Sequence, residues 1–139
     1  MRFMMLGKAT KDSEAGVLPS PEELAEMGKY FESLVNAGVL LEWAGLHASS
    51  QGARVRFSGR KSTVIDGPFA ETKELVAGYI IIQVKSREEA IEWARRGPTV
   101  DGEVEIRRVF EDDDFAPSDP SGELREEDQQ LRDRVSAQH

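Results

Sequence analysis

The sequence predicts an α+β fold, with strands and helices in the order β-α-β-hairpin-β-α-β, followed by an acidic tail. Three observations carry this. Two helix starts are marked by Ser-x-x-Glu, at Ser20–Glu23 and Ser86–Glu89, where the serine hydroxyl can cap the first turn and the glutamate can return the bond. Short runs of alternating or continuous apolar residues flank both helices. The 139 residues, 39% hydrophobic and 32% charged, are enough for one core.

Arg2 to Gly7 is nearly continuous in apolar residues and reads as a short buried strand. Residues 8–19, with Gly16 and Pro19, read as a loop. Ser20 caps a helix with Pro21 in its first position, where a missing N–H is tolerated. Leu24, Met27, Phe31, Leu34 and Val35 recur at helical spacing and are expected to form its buried face, and Gly38 ends it. Val39 to Trp43 is a strand leading into Ala44-Gly45-Leu46-His47. Residues 53–58 alternate, Val55 and Phe57 against Arg54 and Arg56, and Gly59-Arg60 turns them into Ser62 to Ile65 as a hairpin. Residues 75–84 form a strand whose centre, Tyr79 to Ile82, is apolar on both faces. The second helix turns Ala90, Trp93 and Ala94 inward and stops at Gly97-Pro98. Glu103 to Phe110 closes the pattern, with Val104, Ile106 and Phe110 opposite Glu105, Arg107 and Val109. This order is the split βαβ, ferredoxin-like β-α-β-β-α-β pattern: a four-stranded antiparallel sheet, both helices on one face, and an inserted β-hairpin.

The net charge of −8 is unevenly spread. Residues 111–139 carry ten acidic and three basic side chains, so residues 1–110 are nearly neutral. Residues 1–110 are expected to be the folded domain and 111–139 an acidic tail, disordered or docked as a helix. That balance argues against nucleic acid as a partner, because phosphate binding rests on clustered Lys and Arg. Arg54, Arg56, Arg60 and Lys61 read as a solvated hairpin. The longest apolar run, Val76 to Ile82, is far short of a bilayer span, and the N-terminus does not read as a signal peptide, so the expected location is cytoplasmic. With no cysteine and only His47 and His139 as histidines, neither a metal site nor a cofactor is expected. The apolar second face of the Tyr79–Ile82 strand calls for a partner sheet, and a homodimer is the expected solution.

Asp66-Gly67-Pro68-Phe69-Ala70-Glu71-Thr72-Lys73-Glu74 is the most distinctive segment. Gly67 and Pro68 make a rigid corner, with ionisable groups of both signs beside a buried strand. One reading is a turn with a capping aspartate and a charged loop. The other is a cleft in which Asp66 acts as a base and Glu71, Lys73, Glu74 and Tyr79 hold a small molecule. His47 could couple with Asp66 in proton transfer if the second strand and the corner converge, or be an exposed loop histidine. Two function classes remain open: a cofactor-independent small-molecule enzyme using acid–base chemistry near Asp66, and a non-catalytic ligand-binding or regulatory protein.

At this segment the chain resembles the DGPF-motif branch of the YCII-related proteins. Further carriers are Arg2-Phe3-Met4-Met5-Leu6, Gly45-Leu46, Gly78-Tyr79, Glu89-Ala90 with Trp93-Ala94 and Pro98, and Gly102-Glu103-Val104-Glu105-Ile106-Arg107. The resemblance runs to about Phe110. It implies a ferredoxin-like domain pairing as a dimeric α/β barrel, and an association with extracytoplasmic-function sigma factors. The wider group's proposed His–Asp pair has its histidine on the first helix, where this chain has Gly28-Lys29-Tyr30. That histidine does not carry over.

Overall fold

A computed structural model describes residues 1–139, which divide into two compact units, Met1–Arg108 and Val109–His139. In the first unit, β1 (Arg2–Lys8) is followed by a short helix α1 (Lys11–Glu14), the long helix α2 (Pro21–Asn36) and β2 (Leu40–Gly45). A 3₁₀ turn at Ser49–Gln51 leads to the hairpin β3 (Ala53–Ser58) and β4 (Lys61–Asp66). A second turn at Thr72–Glu74 precedes β5 (Val76–Gln83), α3 (Arg87–Arg95) and β6 (Val104–Arg108). The main sheet has the order β2-β5-β1-β6, antiparallel throughout, and β3-β4 forms a separate ribbon. This is the α+β, ferredoxin-like arrangement expected from the element order, with the hairpin inserted between β2 and β5.

Helix α2 begins and ends as its sequence dictates. The Ser20 hydroxyl accepts the Glu23 N–H at 3.1 Å, and the Glu23 carboxylate accepts the Ser20 N–H at 3.3 Å. At the other end Gly38 takes φ 72°, which glycine adopts without steric cost. There the Gly38 N–H reaches the Val35 carbonyl at 2.9 Å and the Val39 N–H the Leu34 carbonyl at 3.1 Å. That pair of bonds is a Schellman motif. Helix α3 follows the expected pattern only in part. Ser86 caps the Glu89 N–H, but the Glu89 carboxylate takes the Lys85 N–H at 2.8 Å, one residue before the cap.

The core lies between the sheet and α2 and α3: Phe3, Met5, Tyr30, Leu34, Val39, Ile82, Val84 and Ala90. The buried face of α2 differs from the one expected. Of the five apolar residues assigned to the inner face of α2, only Leu34 is buried, while Leu24 and Val35 are each 58% exposed. Both sit roughly a quarter-turn round the helix from Leu34, on the shoulder rather than the centre of the apolar stripe. Tyr30, one turn before Leu34, takes the inner position instead. Its hydroxyl donates to the Trp93 carbonyl at 2.7 Å, so the phenol enters the core without an unsatisfied polar atom. Burial raises the Tyr30 pKa above its ordinary value, with Arg96 opposing.

The opposite sheet face carries no helix of this unit. Met4 pairs with Ile81 and Leu6 with Tyr79 across β1 and β5, giving a partly buried apolar strip. Charged groups border it. Glu105 meets Arg107 at 3.2 Å and Lys8 at 3.3 Å, and its carboxyl is held below the usual range, first by Arg107 and then by Lys8. The Tyr79 hydroxyl donates to Glu42 at 3.0 Å, which pushes the phenol above its ordinary pKa.

The second unit has a 3₁₀ segment, Asp112–Ser118, and a helix α4, Glu123–Gln138. The buried Asp119 carboxylate accepts N–H bonds from Leu124 and Arg125 and an ion pair from the Arg125 guanidinium. Those bonds, the Arg125 backbone N–H foremost, lower its pKa. Phe110, expected on the last strand, lies in this unit instead and packs against Phe115 at 4.9 Å. No helix is long and apolar enough to cross a membrane.

Candidate functional site

The segment expected to be a plain loop, residues 8–19, contains α1. Thr10 caps it by accepting the Ser13 N–H at 3.1 Å, and the Ser13 hydroxyl oxygen in return accepts the Thr10 N–H at 2.8 Å. At the end of this helix stands Glu14. Its two carboxylate oxygens accept the Ser49 N–H at 3.1 and 3.2 Å, and one accepts the Ser49 hydroxyl at 2.7 Å. The Ser49 oxygen in turn accepts the Phe69 N–H at 3.0 Å. Three segments distant in sequence are thus pinned at one serine.

The Gly67 corner explains itself at the same place. A Cβ on Gly67 would lie 1.7 Å from the Ser49 carbonyl oxygen, so only glycine lets the two backbones meet. The Gly67 N–H also donates to the Gly52 carbonyl at 3.0 Å, and the Gly67–Pro68 peptide is cis. Beyond it, the Phe69 ring faces the Arg54 guanidinium at 3.9 Å. That spacing is a cation–π contact.

These segments border an open cleft of about 440 Å³. Leu46, Phe69, Leu75 and Val76 supply apolar walls, and Glu14, His47, Ser49 and Arg54 bring the polar groups. The size falls in the usual range for small-molecule sites. Its chemistry is one committed carboxylate, one histidine and one stacked cation.

His47 is exposed and lines the cleft. Asp66 is exposed at the end of β4, opposite Ala53, and does not line it. No hydrogen bond joins Asp66 to His47. Nor does the Asp66 side chain cap the following turn, whose contacts run instead through the Gly67 and Phe69 amides. Glu71, with φ 63°, and Lys73 and Glu74 stand exposed at the turn before β5. Tyr79 belongs to the open sheet face with Glu42. The structure therefore brings His47 to Phe69 and Arg54, and leaves the acidic corner outside.

Glu14, Ser49 and Arg54 were not singled out as site residues by the sequence. The signals available were faint: the Thr10-x-x-Ser13 cap before Glu14, and an arginine alternating with Val55 and Phe57. No group of three or more His, Asp or Glu side chains is placed to hold a metal ion.

Among solved structures, the chain is similar to a 5-chloro-2-hydroxyhydroquinone dehydrochlorinase from Burkholderia phenoliruptrix, solved in complex with 2,5-dihydroxybenzoquinone. That likeness covers 79% of this chain and 94% of the other, at 13% identity and a TM-score of 0.46. An uncharacterized protein of Rhizobium meliloti (strain 1021) is 43% identical over 61 residues, 44% of this chain. The match spans about half of that relative's length, 49%. The model of the YCII-related domain matches residues 1–113. With most of its length matched, including the sheet, both packed helices and every wall of the cleft, the chain belongs to the YCII-related domain family.

Proposed function

We infer that this chain is a small-molecule-binding protein of the DGPF-motif branch, and that its ligand sits in the cleft walled by Phe69 rather than at the Asp66 carboxylate. The observation that carries this is the state of the cleft's polar groups. Glu14 is fully engaged by Ser49, and His47 has no carboxylate partner, so no acid–base pair is assembled there. Apolar walls with a few polar groups are the composition of a recognition site. An amide-resolved NMR titration with a panel of small metabolites tests it. Saturable shifts are expected at Ser49, Gly52, Arg54 and Phe69. Shifts confined to Asp66, Glu71, Lys73 and Glu74 would move the site to the corner. The cofactor-independent enzyme keeps one supporting observation, the imidazole of His47 on the cleft wall, where it can exchange a proton with a bound molecule. Turnover of a bound panel member by wild type, lost in His47→Gln with binding retained, is the result that reading requires.

The protein is further proposed to act as a homodimer built on the open sheet face. Met4, Leu6, Tyr79 and Ile81 form an apolar strip there with no helix of their own unit over it, and a two-fold copy covers such a face with the same residues. Ile81→Glu at its centre is expected to convert the dimer to a folded monomer in sedimentation. A wild-type monomer at micromolar concentration contradicts the proposal. The same substitution at Ile82, which is fully buried on the helix side, is expected to prevent folding instead.

A further inference from the structure

We propose that the cleft selects a flat, singly charged anion, of the aromatic carboxylate class, with Arg54 as the residue that reads the charge. This rests on the cleft being the binding site. The charge balance of its lining comes first. Of the charged side chains there, Glu14 is matched by three hydrogen bonds from Ser49, whereas Arg54 has no ion pair and no hydrogen bond to the protein. The two charges balance formally, but the carboxylate's acceptors are occupied and the guanidinium's donors are the ones left open to a ligand.

The way Arg54 is held comes second. Its guanidinium lies 3.9 Å from the centroid of the Phe69 ring. Stacking uses the face of the guanidinium and leaves its edge, with the N–H donors in a fixed fork. A carboxylate accepts two of those donors side by side, a charge-assisted pair of fixed geometry. Phe69 is itself fixed by its N–H bond to Ser49, so the cation stands on a platform positioned by Glu14 and α1.

Shape comes third. Leu46, Leu75 and Val76 line the same space as the Phe69 ring. A cavity of ~150 Å³ is enough for benzene, and this one measures about 440 Å³. It therefore has room for a substituted ring beside the carboxylate. Arg56, Arg60 and Lys61 on the same hairpin bear no ion pair and add a positive field that favours approach of an anion.

The test compares benzoate, its neutral isostere benzamide, and inorganic phosphate by NMR titration of the full chain. Benzoate is expected to shift Ser49, Phe69 and the Arg54 Nε–H, and to bind about tenfold more tightly than benzamide, the scale of one charge-assisted contact. Arg54→Gln should abolish that preference while benzamide binding persists, and Arg56→Gln should leave it intact. Equal binding of benzamide and benzoate overturns the charge reading but leaves the cleft as a binding site. Phosphate matching benzoate overturns the aromatic class. Benzoate shifts that cluster away from the cleft, or no benzoate binding at millimolar concentration, overturn the proposal outright. In that last case, metabolite-panel shifts at the cleft would still support the site.

Discussion

Leu34→Ala is expected to destabilise the protein by about 2–5 kcal/mol, whereas Val35→Ala next to it should change stability by no more than ~0.5 kcal/mol. Leu34 is completely buried, and its carbonyl accepts the Val39 N–H of the helix-ending motif while its side chain packs with Val39 and Ile82. Truncation leaves a cavity where helix, strand and turn meet. Val35 is 58% exposed, and alanine is the better helix former at such a position. Chemical denaturation of the two variants gives the comparison directly. Equal losses would place Val35 in a buried contact that this chain alone does not provide.

That contrast marks where the sequence was legible and where it was not. The Ser20–Glu23 box, Pro21 and Gly38 act within a few residues of themselves, and each appears where its local chemistry puts it. The four-stranded antiparallel sheet with its inserted hairpin followed from the order of strands and helices along the chain. The buried face of α2 was harder to read, because Tyr30 counts as polar until its hydroxyl is seen to meet the Trp93 carbonyl, 63 residues away. The cleft was harder still. Glu14 meets Ser49 across 35 residues and Ser49 meets Phe69 across 20, and no periodicity records such pairs. The motif at Asp66–Glu74 borders the cleft through the absent side chain of Gly67 and the ring of Phe69. Its conspicuous charges stand in solvent. Composition drew attention to the ionisable groups, while packing decided which residues form the wall.

Gly67→Ala should therefore remove the site as well as stability. The new Cβ would lie 1.7 Å from the Ser49 oxygen and 2.6 Å from its carbonyl carbon, and neither atom can rotate aside as a side chain could. Either the 49–51 turn or the 67–69 corner must move. The bonds at risk are Gly67 N–H to Gly52 and Phe69 N–H to Ser49, both 3.0 Å. Overpacking costs about 1–3 kcal/mol and each of the two broken bonds about 1 more, so the melting temperature should fall by roughly 10–17 °C. Gly28→Ala is the matched control, since a Cβ there meets nothing within 4 Å in the middle of α2. It is expected to stabilise by about 0.5–1 kcal/mol. Because Phe69 carries Arg54, displacement of the corner should also alter the Arg54 Nε–H signal and weaken ligand binding in the native state. A Gly67→Ala protein that melts with wild type and keeps the Phe69 and Arg54 signals unchanged would show that the corner tolerates a side chain. The close approach to Ser49 would then have no part in holding the cleft's wall.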